Sequence, residues 1–206
     1  MSLKPWKRKI MRSCRKWLSL VRRIGLQNRN FTIISNNCTG GYVYQYFGLK
    51  YNSPTAGLFF STKDFVKFCE NFNYYLTKEL CFDGGDIQGE NGNQNKYPIG
   101  MLDDIKIHFL HYKSIEEARD KWRRRIGRIN LDSLCFLYCE NADCEEKDLE
   151  KFCAIHGFNT LCFTYNDYNM GGTIYCPELA GTGNCAWTRK IVMGLVPWKK
   201  YLNSLK

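Results

Sequence analysis

The sequence predicts an α/β fold: three layers, with a parallel or mixed central sheet flanked by helices and a basic amphipathic helix at the N-terminus. Three observations carry this expectation. Short apolar, β-branched runs alternate with segments of helical period from residue 31 to about residue 176, the order that builds crossover units on one sheet. Hydrophobic residues make up 44% and aromatic residues 15% of the 206, enough to fill one sizeable core. The excess positive charge lies entirely ahead of the first apolar run.

Residues 1–29 hold ten of the 30 basic residues and none of the 20 acidic ones, so the formal charge of +10 belongs to this arm and the rest of the chain is neutral. On a helix, Ile10, Cys14, Trp17, Leu18, Val21 and Ile24 recur at three- and four-residue steps and form one stripe. Arg12, Arg15, Lys16, Arg22 and Arg23 mostly lie off it. Trp6 and Trp17 suit the headgroup level of a bilayer. A basic helix with an apolar face is expected at an anionic membrane surface, here through Trp6, Arg12, Arg15, Lys16 and Trp17. Each basic group near such a surface contributes about 1 kcal/mol. The alternative is a stripe that docks on the body, with its charges merely solvated. Nucleic acid fits less well, because the neutral body offers no basic surface to continue the arm. The expected organisation is an arm over 1–29 and a single α/β domain over 30–206.

The body then reads in order. Residues 31–34 form a short buried strand, 42–47 open a helix or turn, and Asn52, Ser53 and Pro54 punctuate a loop. A second strand is expected over 57–60. Ser61 or Thr62 then caps a helix with Phe65, Phe68, Cys69, Phe72 and Leu76 on one face. Residues 83–96 are a polar, glycine-rich loop. Two apolar runs flank Asp103 and Asp104. Ser114 starts a helix, with Glu117 completing a capping box and pairing with Lys121. Its buried stripe is Ile115, Ala118, Trp122, Ile126 and Ile129. Strands follow at 133–139, 159–165 and 173–176, a helix at 145–156 closed by Gly157, and a last helix after Pro197. The chain's 11 cysteines, with no C-x-x-C pair, read mostly as reduced, buried small hydrophobes of a cytosolic protein. No apolar run reaches the roughly 18–20 residues that span a bilayer.

Ligands of such sheets bind at the carboxyl ends of the strands. Ser35, Asn36, Asn37, Cys38, Thr39, Gly40 and Gly41 sit there after the first strand. Glycines admit a close backbone approach, asparagines both donate to and accept from sugar hydroxyls, and a helix start offers N–H groups to an anion. The other reading of the same residues is an Asx-type turn that caps the helix.

The segments "IISNNCTGGYVYQYFGLKYNSPTAGLFF", "DFVKFCENFNYYL", "YPIGMLDDIKIHFLHYKSIEEARDKWRRRIGRIN" and "LCFLY", in this order, resemble a bacterial family of exopolysaccharide-biosynthesis proteins built on a domain of unknown function. The resemblance covers residues 30–190. It implies an α/β fold and a transferase, with glycosyl and acyl transfer both suggested.

Among the remaining chemical groups, Asp103 and Asp104 can hold a divalent cation (Mg or Mn) with a sugar-nucleotide donor, or supply a base; they can equally be a turn. His108 and His111 lie three residues apart, on opposite faces if the stretch is one strand, so His111, nearer its end, is the expected general base. Cys38 is a nucleophile if a base reaches it, and otherwise a small core residue. Arg124, with Arg123, Arg125 and Arg128, can clamp phosphate or simply be solvated. Trp187 and Trp198 can stack on sugar rings. The function expected on these grounds is glycosyl transfer to a lipid-linked saccharide acceptor, in the cytoplasm at the inner face of the plasma membrane. The alternatives are O-acyl transfer and a non-catalytic carbohydrate- or lipid-binding module.

Overall fold

The computed structural model describes residues 5–82, 97–179 and 188–205. The expected loop at 83–96 and Trp187 lie outside the described residues. The fold is α/β. A four-stranded parallel sheet has the order β1 (Thr32–Ser35), β5 (Leu134–Cys139), β6 (Asn159–Thr164), β7 (Thr173–Tyr175). A second, antiparallel sheet joins β2 (Leu80–Cys81), β3 (Ile99–Leu102) and β4 (Ile105–His108). The expected central sheet is present and parallel, and a separate antiparallel sheet accompanies it.

Every residue of β5 is buried, as suits a strand covered on both faces. Leu134, Phe136 and Tyr138 enter one core, and Cys135, Leu137 and Cys139 the other, following the two-residue period of a strand. The first core takes in α3 (Thr62–Glu70), α4 (Phe72–Leu76), α5 (Ile115–Ile126), α6 (Glu146–Cys153) and the antiparallel sheet. The second takes in α2 (Thr39–Phe47), α7 (Thr188–Leu195) and α8 (Trp198–Ser204). These are the three layers. The expected stacking residue Trp198 is buried in the second core, its Nε1 donating to Val192 O at 3.2 Å.

Three expected elements differ. Residues 57–60 make only a single bridge, between Phe59 and His108; its two hydrogen bonds, both 2.9 Å, tie that segment to the end of β4. The helix expected from residue 62 breaks at Asn71, whose Nδ2 donates to Lys67 O at 3.2 Å. The bend lets Phe68 and Phe72 pack edge to face, 5.3 Å apart. Residues 145–156 give the shorter α6, which leaves His156 outside the helix.

β1 is the outer strand of the parallel sheet, and its free edge is covered rather than exposed. Ile33 N donates to Tyr44 Oη at 3.0 Å, Ser35 N to Thr55 Oγ1 at 2.9 Å, and Thr32 Oγ1 to Asn52 O at 3.1 Å. Tyr44 of α2 (Thr39–Phe47) and Thr55 thus satisfy backbone N–H groups that would otherwise recruit another strand.

The N-terminal helix, α1 (Pro5–Arg22), lies on α2 through its last turns. Ser19 is 4% exposed, and Arg22 stands 4.1 Å over the Tyr46 ring. The two helices meet at Gly48, where a Cβ would lie 2.4 Å from Ser19 Oγ. Docking therefore uses the polar side of the helix, and of the expected apolar stripe Cys14, Trp17, Leu18, Val21 and Ile24 are exposed. Among the described residues, no helix is long and apolar enough to cross a membrane.

Candidate functional site

The turn after β1 shows where its polar groups are committed. Asn36 is fully buried and extends the β1–β5 ladder through its side chain: Nδ2 donates to Cys139 O at 2.7 Å and Oδ1 accepts from Cys139 N at 3.0 Å. Ser35 Oγ donates to Asn37 O at 2.7 Å and accepts from Gly40 N at 3.2 Å. Asn37 Oδ1 accepts from Thr39 N at 2.9 Å, which caps α2. Gly40 leaves no room for a side chain, since a Cβ there would lie 2.6 Å from Ser35 Oγ. Ser35, Asn36, Asn37 and Gly40, expected to touch substrate, thus hold the turn together and seat α2 on the sheet.

Cys38 and Gly41 differ. Both line a cavity of about 390 Å³ at the β1 edge. Cys38 is half-buried and immediately precedes α2. His111, in the turn after β4, brings Nε2 to 3.2 Å from Cys38 Sγ. Gly57 turns the chain beside this pair. Its φ is +85°, and a Cβ would lie 3.5 Å from Tyr112 and 3.6 Å from His111, so a larger residue would be strained there. Burial raises the Cys38 thiol above its ordinary value, because the thiolate would lose hydration. The resting sulfur therefore keeps its proton.

α5 supplies two cations to the same cavity, one turn apart. Arg125 is 7% exposed and donates from Nη1 to Ala56 O at 2.8 Å and to Tyr112 Oη at 2.5 Å. Its guanidinium lies 5.0 Å from the Tyr51 ring centre. Among the described residues its bonds run to neutral oxygens. Lys121 also lines the cavity, 5.0 Å from the Tyr112 ring centre, and bonds Glu117 Oε1 at 2.5 Å. None of the described lining residues is Asp or Glu. A buried cation without a carboxylate is costly unless an anion joins it. The cavity thus sets two cations, one of them already paired with Glu117, beside a thiol and an imidazole, an arrangement able to accept a negatively charged group.

The acidic pair lies elsewhere. Asp103 and Asp104 form the two-residue connection between β3 and β4, with φ +57° at Asp103. Tyr74 Oη donates to Asp103 Oδ2 at 2.5 Å, Tyr75 Oη to Asp104 Oδ1 at 2.6 Å, and Lys67 pairs with Asp104. Lys67 and Tyr75 hold the Asp104 carboxyl below the usual carboxylate range. β4 separates this pair from His111, so the expected acid, metal and base groups do not converge. Among the described residues no cluster of three or more His, Cys, Asp or Glu gathers that would hold a metal ion. Nor does His108 reach the cavity: it is buried, its ring 5.8 Å from Phe59 and 5.9 Å from Tyr97. Arg124, expected to bind substrate, is exposed on α5 itself; its neighbour Arg125 is the one that is buried.

Sequence reasoning named Arg125 only as one of four arginines that could clamp phosphate, without singling it out, and it missed Tyr51 and Tyr112. One signal was present. Arg125 falls three residues after Trp122 and seven after Ala118, on the buried face of α5, where a charged residue needs a reason. Ser114 Oγ accepts from Glu117 N at 3.2 Å as expected, but Glu117 reaches back to Lys113 N, not to Ser114 N.

Known proteins bear on the chain as follows. A protein of Haemophilus influenzae, described as an uncharacterized protein, is 36% identical over 143 residues, covering 69% of this chain and 66% of that relative. The chain thus spans slightly under two thirds of the relative's length. A family model described as a domain of unknown function, DUF1919, matches residues 9–203, which takes in most of α1 as well as both sheets. With nearly its whole length matched, the chain belongs to the DUF1919 family.

Proposed function

We propose that the chain is a group-transfer enzyme in which Cys38 is the nucleophile and His111 its base, moving an acyl group from an anionic donor to a saccharide hydroxyl. The observation that carries this reading is the 3.2 Å approach of His111 Nε2 to Cys38 Sγ in the wall of a cationic cavity. A thiol kept protonated by burial needs a base within hydrogen-bond reach before it reacts.

In the first step the Cys38 proton passes to His111 Nε2 as sulfur attacks the donor carbonyl. A C–S bond forms, and the leaving group departs with that proton. In the second step the acceptor hydroxyl gives its proton to Nε2 and attacks the thioester. The C–S bond breaks, and the imidazolium returns the proton to sulfur. Arg125 and Lys121 seat the anionic part of the donor and orient its carbonyl towards Cys38. The start of α2 next to the sulfur favours the thiolate as it forms.

The saccharide acceptor rests on the resemblance of residues 30–190 to exopolysaccharide-biosynthesis proteins. Glycosyl transfer assisted by Mg or Mn relied on Asp103 and Asp104, and their position beyond β4 leaves it less well supported. The test is intact-mass spectrometry of the protein incubated with acetyl-coenzyme A or acetyl phosphate. A hydroxylamine-sensitive acetyl adduct that maps to Cys38, is absent in Cys38→Ser and forms about 10²–10⁴ times more slowly in His111→Ala is the expected result. Turnover of a sugar-nucleotide by a Cys38→Ala protein would sink it.

A further inference from the structure

Independently of the cavity, we infer that the outward face of α1 docks on an anionic lipid surface. The helix meets the body through Ser19, Arg22 and Gly48 of the facing segment. The opposite side stays in solvent: Trp17 is 67% exposed and Ile24 70%, with Leu18, Leu20 and Val21 also exposed. Apolar side chains gathered on one side of a helix in this way mark a contact that the folded chain does not itself complete.

The charge of the arm selects the occupant. Residues 1–29 carry ten basic residues and no acidic one, while the remaining chain is neutral. A second copy of the chain would bring ten like charges against ten, which opposes self-association through this face. An anionic leaflet offers hydrocarbon for the exposed apolar residues and negative charge for the ten basic residues of the arm. Exposed Trp6 and Trp17 are of the type that settles at the headgroup level.

The test is flotation of the full chain with vesicles of phosphatidylglycerol and phosphatidylcholine, and with vesicles of phosphatidylcholine alone. Binding to the anionic vesicles, weakening as salt is raised, with a blue shift of tryptophan fluorescence, is expected. Val21→Asp/Ile24→Asp should lower that binding about tenfold or more, with wild-type circular dichroism and melting temperature because both positions are exposed. Trp17→Ser reads the same contact without adding charge and should also weaken it. Wild-type binding by both variants, or equal binding to neutral vesicles, overturns the inference. So does a dimer in sedimentation that either variant dissolves, which would assign the face to a second copy. Salt-sensitive binding to duplex DNA with none to anionic vesicles would assign the arm to nucleic acid.

Discussion

A half-buried thiol beside an imidazole has a pH dependence that can be stated before it is measured. Burial raises the Cys38 thiol, so its thiolate becomes abundant only at a pH above the ordinary cysteine value of about 8.5. Alkylation of Cys38 by iodoacetamide, followed by peptide mapping, should therefore rise through a midpoint above that value. A midpoint below about 7 would mean a resting thiolate–imidazolium pair and contradict the proton inventory given above. Asn36 poses a different question at the same scale. It completes both hydrogen-bonding groups of Cys139, and Asn36→Ala leaves a buried N–H and C=O without them. Urea denaturation should show a loss of about 2–4 kcal/mol. The contrast explains what was legible here. The polar turn at 35–41 was visible as a string of residue types, but those types serve a turn and a site equally well. Which role each takes depends on partners such as Cys139 and His111, which lie 103 and 73 positions away. Arg125 could not be told from Arg123, Arg124 and Arg128 for a related reason: charge alone predicts exposure, and the partners that make its burial tolerable, Ala56 O and Tyr112 Oη, lie 69 and 13 positions away.

At the scale of elements, the hydrophobic period located most helices and strands, because each presents one or both faces to a core. It failed where the decisive contact was local or distant. Asn71 breaks a helix through a bond to its own preceding turn, and the 57–60 segment has β composition but a single bridging partner in Phe59–His108. α7 escaped notice altogether. The α1–α2 junction supplies a prediction. Gly48 has φ +61°, and a Cβ there would lie 2.4 Å from Ser19 Oγ, so Gly48→Ala combines backbone strain with a displaced helix. It should cost about 1–3 kcal/mol, with faster protease nicking of α1 than in the wild type. The β3–β4 connection supplies another. Asp103→Asn/Asp104→Asn alters exposed bonds to Tyr74 and Lys67 and a part-buried one to Tyr75, at the far end of β4 from the thiol. Acyl transfer by this variant should match the wild type, and a large loss of rate would return the acidic pair to the chemistry.

Over the whole molecule, β5 is shared by the two cores, so neither forms without the other. Cys69 is buried in one and Cys135 in the other. In rising urea the two thiols should become open to alkylation at the same midpoint, as one cooperative unit requires; separate midpoints would reveal two. The α/β architecture was legible at this scale from alternating strands and helices. Its division into two sheets was not, since β2, β3 and β4 are inserted between β1 and β5, and pairing across that distance leaves no periodic trace. That division has a chemical consequence. The sulfur follows a strand of the parallel sheet and the imidazole follows a strand of the antiparallel one, linked near their ends by the Phe59–His108 bridge. Neither half alone brings the imidazole to the sulfur. On the proposed acyl-transfer reading, a nascent or damaged chain with one half out of register keeps the thiol but loses its base, so the rate at which a single sulfur is acylated gauges how the two halves are aligned.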